Sequence, residues 1–372
     1  VVNVTNEKKR IILLGASGSV GSTALNAIIE HQDKFEIVGA STHTSSYPFE
    51  IIKKIWPNAK VCYSGLEGGE AALFELIEET ETDLVLNAIA GSPGLKATLA
   101  ALRSGTDVAL ANKESVVMGG ELLFKVAREN NATIIPVDSE HSALNELLKS
   151  IKREAVASII LTASGGPFRT LPKEDFAKIT VAMALKHPTW KMGPKITIDS
   201  ATLANKGLEV IEATYLFGFK PDQIEVVIHP QSLVDALVRL KNGALFGQLS
   251  SPNMRLPILT ALGANLTEPA IASLNFTPLN LTFEAPNYDK FPLLKLAYQC
   301  AQEGQSRPII YNSANEVAVE AFLKEKISFV EIAEVVEATV ASFNHYPYTT
   351  VDEIDLIDRE GRLLASSICR EL

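Results

Sequence analysis

The sequence predicts an α/β protein in three parts: a mostly parallel sheet domain, a mixed α+β domain and a small helical domain. Three observations carry this. Short apolar runs alternate with amphipathic stretches through residues 1–137. A Lys241-Asn242-Gly243 turn sits between two alternating apolar runs near the middle of the chain. Helical periodicity dominates from 293 onward.

In the first part the expected strands are 10–15, 35–41, 83–89, 107–112 and 132–138, with helical patterns such as 20–30 and 69–80 between them. Near-continuous apolar strands separated by helices are the mark of a parallel sheet covered on both faces. The middle part, 138–263, offers a strand at 156–163, then a Gly-, Pro- and Lys-rich loop at 164–195. A helix over about 202–217 and a strand at 225–229 follow. The runs 234–240 and 244–249 flank Asn-Gly and predict a hairpin. Residues 264–292 hold several prolines and no periodicity, so they read as a linker. The C-terminal part, 293–372, carries Ser313-x-x-Glu316 and Ser328-x-x-Glu331, each expected to open a helix as a capping box.

The chain has 372 residues, 34 basic and 44 acidic, for a net charge of −10. That balance argues against a nucleic-acid or polybasic membrane binder, so an anionic ligand must be held by a local cluster of donors. Three widely spaced cysteines, Cys62, Cys300 and Cys369, suit a reducing compartment better than a disulfide framework or a zinc site. No apolar run reaches membrane-span length, and the basic residues near the start precede only a short apolar run, read as a first strand.

Gly15, Gly18 and Gly21 lie between the first strand and the first helix. A tight glycine turn opening a helix lets a diphosphate approach backbone N–H groups, which points to a Rossmann-like dinucleotide domain; the plainer reading is an ordinary βα turn. The second strand ends in Ser41, Thr42 and His43 with no acid to bind a ribose 2′-hydroxyl, which favours NADP over NAD; the plainer reading is a polar loop with no Arg or Lys for a 2′-phosphate.

The fifth predicted strand delivers Asp138 and Glu140, one residue apart. In an extended chain such a pair points the same way and can converge on Mg²⁺ or Mn²⁺. The plainer reading is a solvated strand end. On the 202–217 helix, Asn205 and Glu209 share a face with Lys206 adjacent. Glu209 is either a third metal ligand or a surface acid paired with Lys206. Ser164-Gly165-Gly166 offers a hydroxyl and backbone donors for a phosphate. His187, Trp190 and Met192 read as a lid or as loop packing, and Lys113, at the end of another parallel strand, either faces the crevice or is a surface lysine.

These motifs come in one order: GASGSVG (15–21), ANKES (111–115), PVDSEHSAL (136–144), LTASGGPF (161–168), HPTWKMGPKITIDSATLANKGLEVIEA (187–213), IHPQSLV (228–234) and SANEVAVEAFL (313–323). Over nearly its full length the chain resembles the 1-deoxy-D-xylulose 5-phosphate reductoisomerase family. The resemblance implies a rearrangement, by retro-aldol and aldol steps, followed by reduction to 2-C-methyl-D-erythritol 4-phosphate in the non-mevalonate isoprenoid pathway. It implies NADPH and Mg²⁺ or Mn²⁺, with Co²⁺ as a further option. The implied metal ligands are Asp138, Glu140 and Glu209, and Lys113 and His187 join them in the catalytic set. Ser139, Glu140, Ser164, His187, Ser200, Asn205, Lys206 and Glu209 would hold a small phosphorylated sugar, with Trp190 and Met192 on a closing flap. The cofactor set is Gly15, Ala16, Ser17, Gly18, Ser19, Val20, Ser41, Thr42, His43, Asn112, Lys113, Glu114 and Gly193.

The resemblance further implies a homodimer built on a sheet of the middle domain, near the 234–249 hairpin, and a bacterial cytoplasm or a plastid stroma after transit-peptide removal. The chain departs from the family's pattern at Ser41-Thr42-His43, where many members carry Gly-Lys-Asn, and mildly at Ala16-Ser17. His141 and His229 read as structural. Two rivals are an NADP-dependent semialdehyde dehydrogenase, which needs a cysteine nucleophile, and an inactive NADP-binding sensor, which predicts loss of an acid or a lysine.

Overall fold

The computed structural model describes residues 7–264 and 269–372. The expected linker 264–292 therefore falls partly outside the described residues, at 265–268. The first elements alternate as the periodicity predicts. They are β1 (Lys9–Leu14), α1 (Ser19–Glu30), β2 (Phe35–Thr42), α2 (Tyr47–Ile55), β3 (Lys60–Tyr63), α3 (Gly69–Glu78), β4 (Leu84–Asn87), α4 (Gly94–Arg103), β5 (Val108–Leu110), α5 (Lys113–Glu129), β6 (Ile134–Pro136) and α6 (Ser139–Ser150). Then come β7 (Val156–Ala163), α7 (Val181–Ala184), α8 (Pro194–Ala201), α9 (Ala204–Phe217), β8 (Ile224–Ile228), β9 (Val234–Leu240) and β10 (Leu245–Leu249). The chain ends in α10 (Arg255–Ala261), α11 (Pro292–Glu303), α12 (Ser306–Leu323), α13 (Phe329–Ser342) and α14 (Val351–Glu371).

By compactness the chain divides into two units. The first takes Val1–Ser115, Leu123–Ser142 and Asn253–Ala272; the second takes Val116–Leu122, Ala143–Pro252 and Ser273–Leu372.

The first unit is built on a six-stranded parallel sheet of order β3-β2-β1-β4-β5-β6. This is the doubly wound order, with its switch point between β1 and β4, where a nucleotide crevice opens at the carboxyl ends of the strands. Ile11, Leu13, Leu84, Leu86 and Ala109 supply the sheet side of the core. Ala24 and Ile28 of α1 close it, and α10 returns from far along the chain to add Ile258, Leu259 and Leu262. Arg255 bridges to Glu30 at 2.5 Å, and the Lys9 ammonium donates to the Leu262 carbonyl at 3.1 Å, so α10 is tied at both ends. Strand β3 was not expected. It is a four-residue edge strand with no residue fully buried, so it leaves no alternation to read.

The second unit holds a four-stranded mixed sheet of order β10-β9-β7-β8. The Asn-Gly hairpin joins β9 to β10 as expected: the Leu240 N–H donates to the Ala244 carbonyl at 2.8 Å, and Gly243 takes φ +91°. Strand β10 is the outer edge. Leu245, Phe246 and Leu249 on it are 50%, 48% and 38% exposed.

The helices α11–α14 form a bundle around α12, whose Tyr311 is fully buried. Ser328 and Glu331 make the expected capping box of α13. The Ser313-x-x-Glu316 box is a correction: α12 begins at Ser306, so Ser313 lies in its interior. Its hydroxyl donates to the Ile309 carbonyl at 2.8 Å and to Asp358 at 2.6 Å. Pro308 fits the first turn of α12 and lets the helix start early. Among the described residues no helix is long and apolar enough to cross a membrane.

A box absent from the sequence reading opens α14, where Thr350 accepts from the Glu353 N–H while the Glu353 carboxylate accepts from the Thr350 N–H at 2.9 Å. Backbone donors Thr349 and Thr350 hold the Glu353 carboxyl below its ordinary range. The carboxylate half of the box is therefore fully present above the ordinary carboxylate pKa and is lost as pH falls through the lowered value. Thr350→Ala should weaken the first turn of α14 by about 1 kcal/mol. Hydrogen exchange at that turn should show it at neutral pH and show a smaller difference in acid.

Candidate active site

In the first unit, Gly15 makes the turn after β1. Its φ is +75°, and a Cβ there would stand 2.6 Å from the Ala88 carbonyl oxygen in the loop after β4. Only glycine fits, because both the dihedral and the close approach forbid a side chain. The turn is braced by Ser41, whose carbonyl accepts from Ala16 N–H at 2.8 Å and whose hydroxyl accepts from Gly15 N–H at 3.3 Å. Ala16 is buried, whereas Ser17, Gly18 and Ser19 are exposed and Val20 half-buried at the start of α1. No side chain caps α1 and no acid lies in its first turn, so its N-terminus suits an anion.

The three residues at the end of β2 divide. Ser41 and Thr42 are buried and the Thr42 hydroxyl donates to the Ser45 carbonyl at 2.7 Å, while His43 is exposed. Asn112 caps α5, accepting from Ser115 N–H at 2.8 Å and donating to the Gly91 carbonyl at 2.8 Å and to Glu114 at 3.1 Å. The 88–94 loop thus packs between Gly15 and Asn112, a role the sequence reading missed. Its signal was a second glycine-rich turn, AGSPG, directly after a predicted strand.

Asp138 and Glu140 do not lie in an extended chain. Strand β6 ends at Pro136 and α6 starts at Ser139, so Asp138 precedes the helix and Glu140 sits in its first turn. The reason is the helical run that follows Ser139, whose first turn welcomes acids beside the N-terminal N–H groups. Lys113, 5% exposed, pairs with Asp138 at 2.7 Å. The Ser139 hydroxyl donates to Glu140 at 2.6 Å. His141 is fully buried, with Nδ1 3.9 Å from Asp138.

In the second unit, Asn205, Lys206 and Glu209 converge on one face of α9. The Asn205 amide donates to Glu209 Oε1 at 2.5 Å, and Lys206 pairs with Oε2. Glu209 does pair with Lys206, but not as a surface acid: they are 1% and 3% exposed. Ser164, His187 and Ser200 meet as a triangle. His187 Nε2 lies 3.0 Å from the Ser164 hydroxyl and 3.1 Å from the Ser200 hydroxyl. Its Nδ1 accepts from the Thr189 and Trp190 N–H groups at 3.1 and 2.9 Å. Two donors on Nδ1 fix the proton on Nε2. Trp190, Met192 and Gly193 are half-buried, and Gly193 precedes α8. His229 donates from Nδ1 to the Thr282 carbonyl at 2.8 Å and accepts at Nε2 from Leu233 N–H at 3.2 Å, the expected structural histidine.

The comparisons with known proteins agree with one another. Family models described as 1-deoxy-D-xylulose 5-phosphate reductoisomerase match residues 11–67 and 52–120, and its C-terminal domain models match 134–217 and 249–364. A Treponema denticola protein of that name is 44% identical over 98% of both chains, and one from Bacteroides fragilis is 41% identical over 98% of this chain and 99% of its own. The Zymomonas mobilis enzyme solved with NADPH aligns with TM-score 0.87 and 36% identity, over 98% of this chain and all of that one. A DOX-P reductoisomerase solved with NADPH, fosmidomycin and magnesium aligns with TM-score 0.90 and 35% identity, over 97% and 98% of the chains.

Burial pushes His187 down to about 4. A base lowered on folding favours the fold above its ordinary pKa, and that contribution is lost as pH falls toward the lowered value. Nitrogen-detected NMR should show the neutral Nε2–H form of His187 persisting from pH 7 to about 5, where an ordinary histidine is largely charged.

Proposed function

The chain belongs to the 1-deoxy-D-xylulose 5-phosphate reductoisomerase family, and from that premise we propose how its residues divide the work. The enzyme converts 1-deoxy-D-xylulose 5-phosphate to 2-C-methyl-D-erythritol 4-phosphate, by rearrangement and then reduction, with NADPH and a divalent metal. The observation that carries the residue assignment is the burial of charge on motif residues, above all Glu209 with Lys206.

Asp138, Glu140 and Glu209 hold the cation. The donor set fits, being all carboxylate oxygen, which suits Mg²⁺ or Mn²⁺. The glycine turn fits the dinucleotide: Gly15 is demanded by packing, whereas a Cβ on Gly18 would meet no atom nearer than 3.4 Å. The bare Gly18 therefore serves approach of a ligand rather than the fold. When bound, the metal supplies Lewis acidity toward the substrate oxygens and NADPH supplies the hydride.

The chain's own groups do the rest. Ser164, His187 and Ser200 donate to the phosphate, with His187 giving its Nε2–H. Asn205 and Lys206 donate to hydroxyls, and Ser139 contacts the substrate backbone. Lys113 pairs with Asp138 beside the reacting atoms. Trp190 and Met192 cover the site, and the backbone bonds from Thr189 and Trp190 to His187 tie that cover to the phosphate. Ser41 and Thr42 are engaged within the protein, so the 2′-phosphate falls to His43 and the exposed loop after it. Asn112, Glu114 and Gly193 shape the cofactor's surroundings.

By function the chain divides into a cofactor domain (1–137), a catalytic and dimerisation domain (138–263) with its flap at about 164–195, a linker (264–292) and a helical domain (293–372). The apolar β10 edge supports a homodimer, since an exposed hydrophobic edge strand is a template for a second copy. The three cysteines are free, which agrees with a reducing bacterial cytoplasm or plastid stroma.

Neither rival gains support. Burial pushes the Cys62 and Cys300 thiols up to about 11 and 12, far from a nucleophile's range. The acids and lysines that an inactive sensor would lack are present.

Glu209→Gln should remove metal-dependent NADPH oxidation with substrate, a loss of at least about a thousand-fold, while NADPH binding measured by fluorescence stays intact. Persistence of activity in that variant would overturn the ligand assignment. Phe246→Lys should convert a dimer to a monomer in sedimentation velocity; a wild-type monomer would remove the β10 reading.

A further inference from the structure

The SANEVAVEAFL motif of α12 is left without work by the reaction, yet one of its residues reaches the phosphate pocket's support. Asn315 is fully buried, and its Nδ2 donates to Asp199 Oδ1 at 2.7 Å. Asp199 is 1% exposed and sits on α8 immediately before Ser200. Its second oxygen takes Lys195 at 3.0 Å, one turn earlier on the same helix. A buried carboxylate is thus held from two sides, by an amide of α12 and by an ammonium at the start of α8. Among the described residues Asn315 Oδ1 meets no donor. The amide orientation is therefore set by the carboxylate: the reverse orientation would set oxygen against oxygen.

The position of α8 matters on the scale of tenths of an ångström. Gly166, with φ +67°, lies so close to α8 that a Cβ there would stand 2.7 Å from the Ser200 carbonyl oxygen. Ser164 Oγ accepts from the Gly166 N–H at 3.2 Å, so the same turn that touches α8 aims Ser164 at His187. A small shift of α8 moves the Ser200 hydroxyl off His187 and presses on the turn that carries Ser164. The helix has only eight residues, Pro194–Ala201, and its own hydrogen bonds cannot fix its place.

We propose that Asn315 is a positioning residue for phosphate binding: through Asp199 it clamps α8 so that Ser200 and Ser164 meet His187. This rests on the reading that those three residues hold the phosphate. The clamp acts on binding of the phosphorylated substrate and of inorganic phosphate, and not on NADPH.

The test compares Asn315→Leu, Asn315→Asp and the exchanged pair Asp199→Asn with Asn315→Asp, in the full chain, with Ser200→Ala as a control. Loss of a hydrogen bond to a buried charge should raise KM for the substrate by about ten- to a hundred-fold in Asn315→Leu. The Ki for inorganic phosphate should rise by a similar factor, with kcat and NADPH affinity nearly unchanged. Asn315→Asp, which sets two carboxylates together, should be worse, and the exchanged pair should recover most of the loss. A merely structural asparagine would lower the melting temperature without this split or this recovery.

Unchanged KM and Ki in Asn315→Leu, beside a Ser200→Ala that raises both, would overturn the clamp. If Ser200→Ala leaves phosphate inhibition unchanged, the phosphate reading is what fails. The His187 ring resonances, which need no ligand, then judge the clamp: a shift in Asn315→Leu keeps it and their constancy removes it. Should Asn315→Leu fail to fold, the exchanged pair keeps side-chain volume and decides by its KM alone: recovery near wild type supports the clamp and a value like Ser200→Ala overturns it.

Discussion

A charge removed from water must be met by an opposite charge or by hydrogen bonds, and the charged motif residues of both units are arranged around that demand. Lys113 stands against Asp138, and Lys206 against Glu209, with side-chain exposures of 6% and 15% in the first pair and 3% and 1% in the second. Such pairs are a poor source of stability, because desolvation consumes most of the attraction. Removing one partner nevertheless destabilises by about 3–5 kcal/mol. In a dry setting the attraction between the two members of such a pair is stronger than it would be in water.

The same demand is met differently around His187. There the ring is kept neutral, and its two nitrogens are given unlike tasks by what surrounds them. The Thr189 and Trp190 amides occupy Nδ1, so the proton faces the two serine hydroxyls. One imidazole thereby joins the backbone of Thr189 and Trp190 to the side chains of Ser164 and Ser200. Hydrogen-bond direction, not distance alone, makes the three residues a unit.

Most of the first unit was legible, since its strands bury both faces and its helices repeat at 3.6 residues. Edge strand β3 was not, because a short strand with one partner carries little apolar signal. The Asp138–Glu140 pair was found by residue type, but its geometry was misread: an extended strand end and the first turn of a helix both tolerate D-S-E-H-S. Only the continuation into α6 distinguishes them. Glu209 and Lys206 stood out at helical spacing, yet only burial excluded a surface pair, and burial depends on residues distant in the chain. The same holds for Asn315, whose partner Asp199 lies 116 positions away. Local pattern can nominate a polar residue but cannot say which distant carboxylate it will meet. The Ser313 box failed for a related reason: a polar S-x-x-E inside a helix imitates the signature of its beginning.

The return of α10 to the first sheet has a consequence for how the chain comes into being. The apolar face of α1, with Ala24 and Ile28, is sealed only when Ile258, Leu259 and Leu262 arrive. On a ribosome the first sheet would be complete while its covering helix was still more than a hundred residues from synthesis. Through that interval the nascent domain carries an open hydrophobic seam, which is the kind of surface that chaperones hold and that aggregation exploits. The contact is also of very high sequence separation, so its closure comes late and slowly. A dinucleotide fold that usually finishes itself is here finished by its successor in the chain.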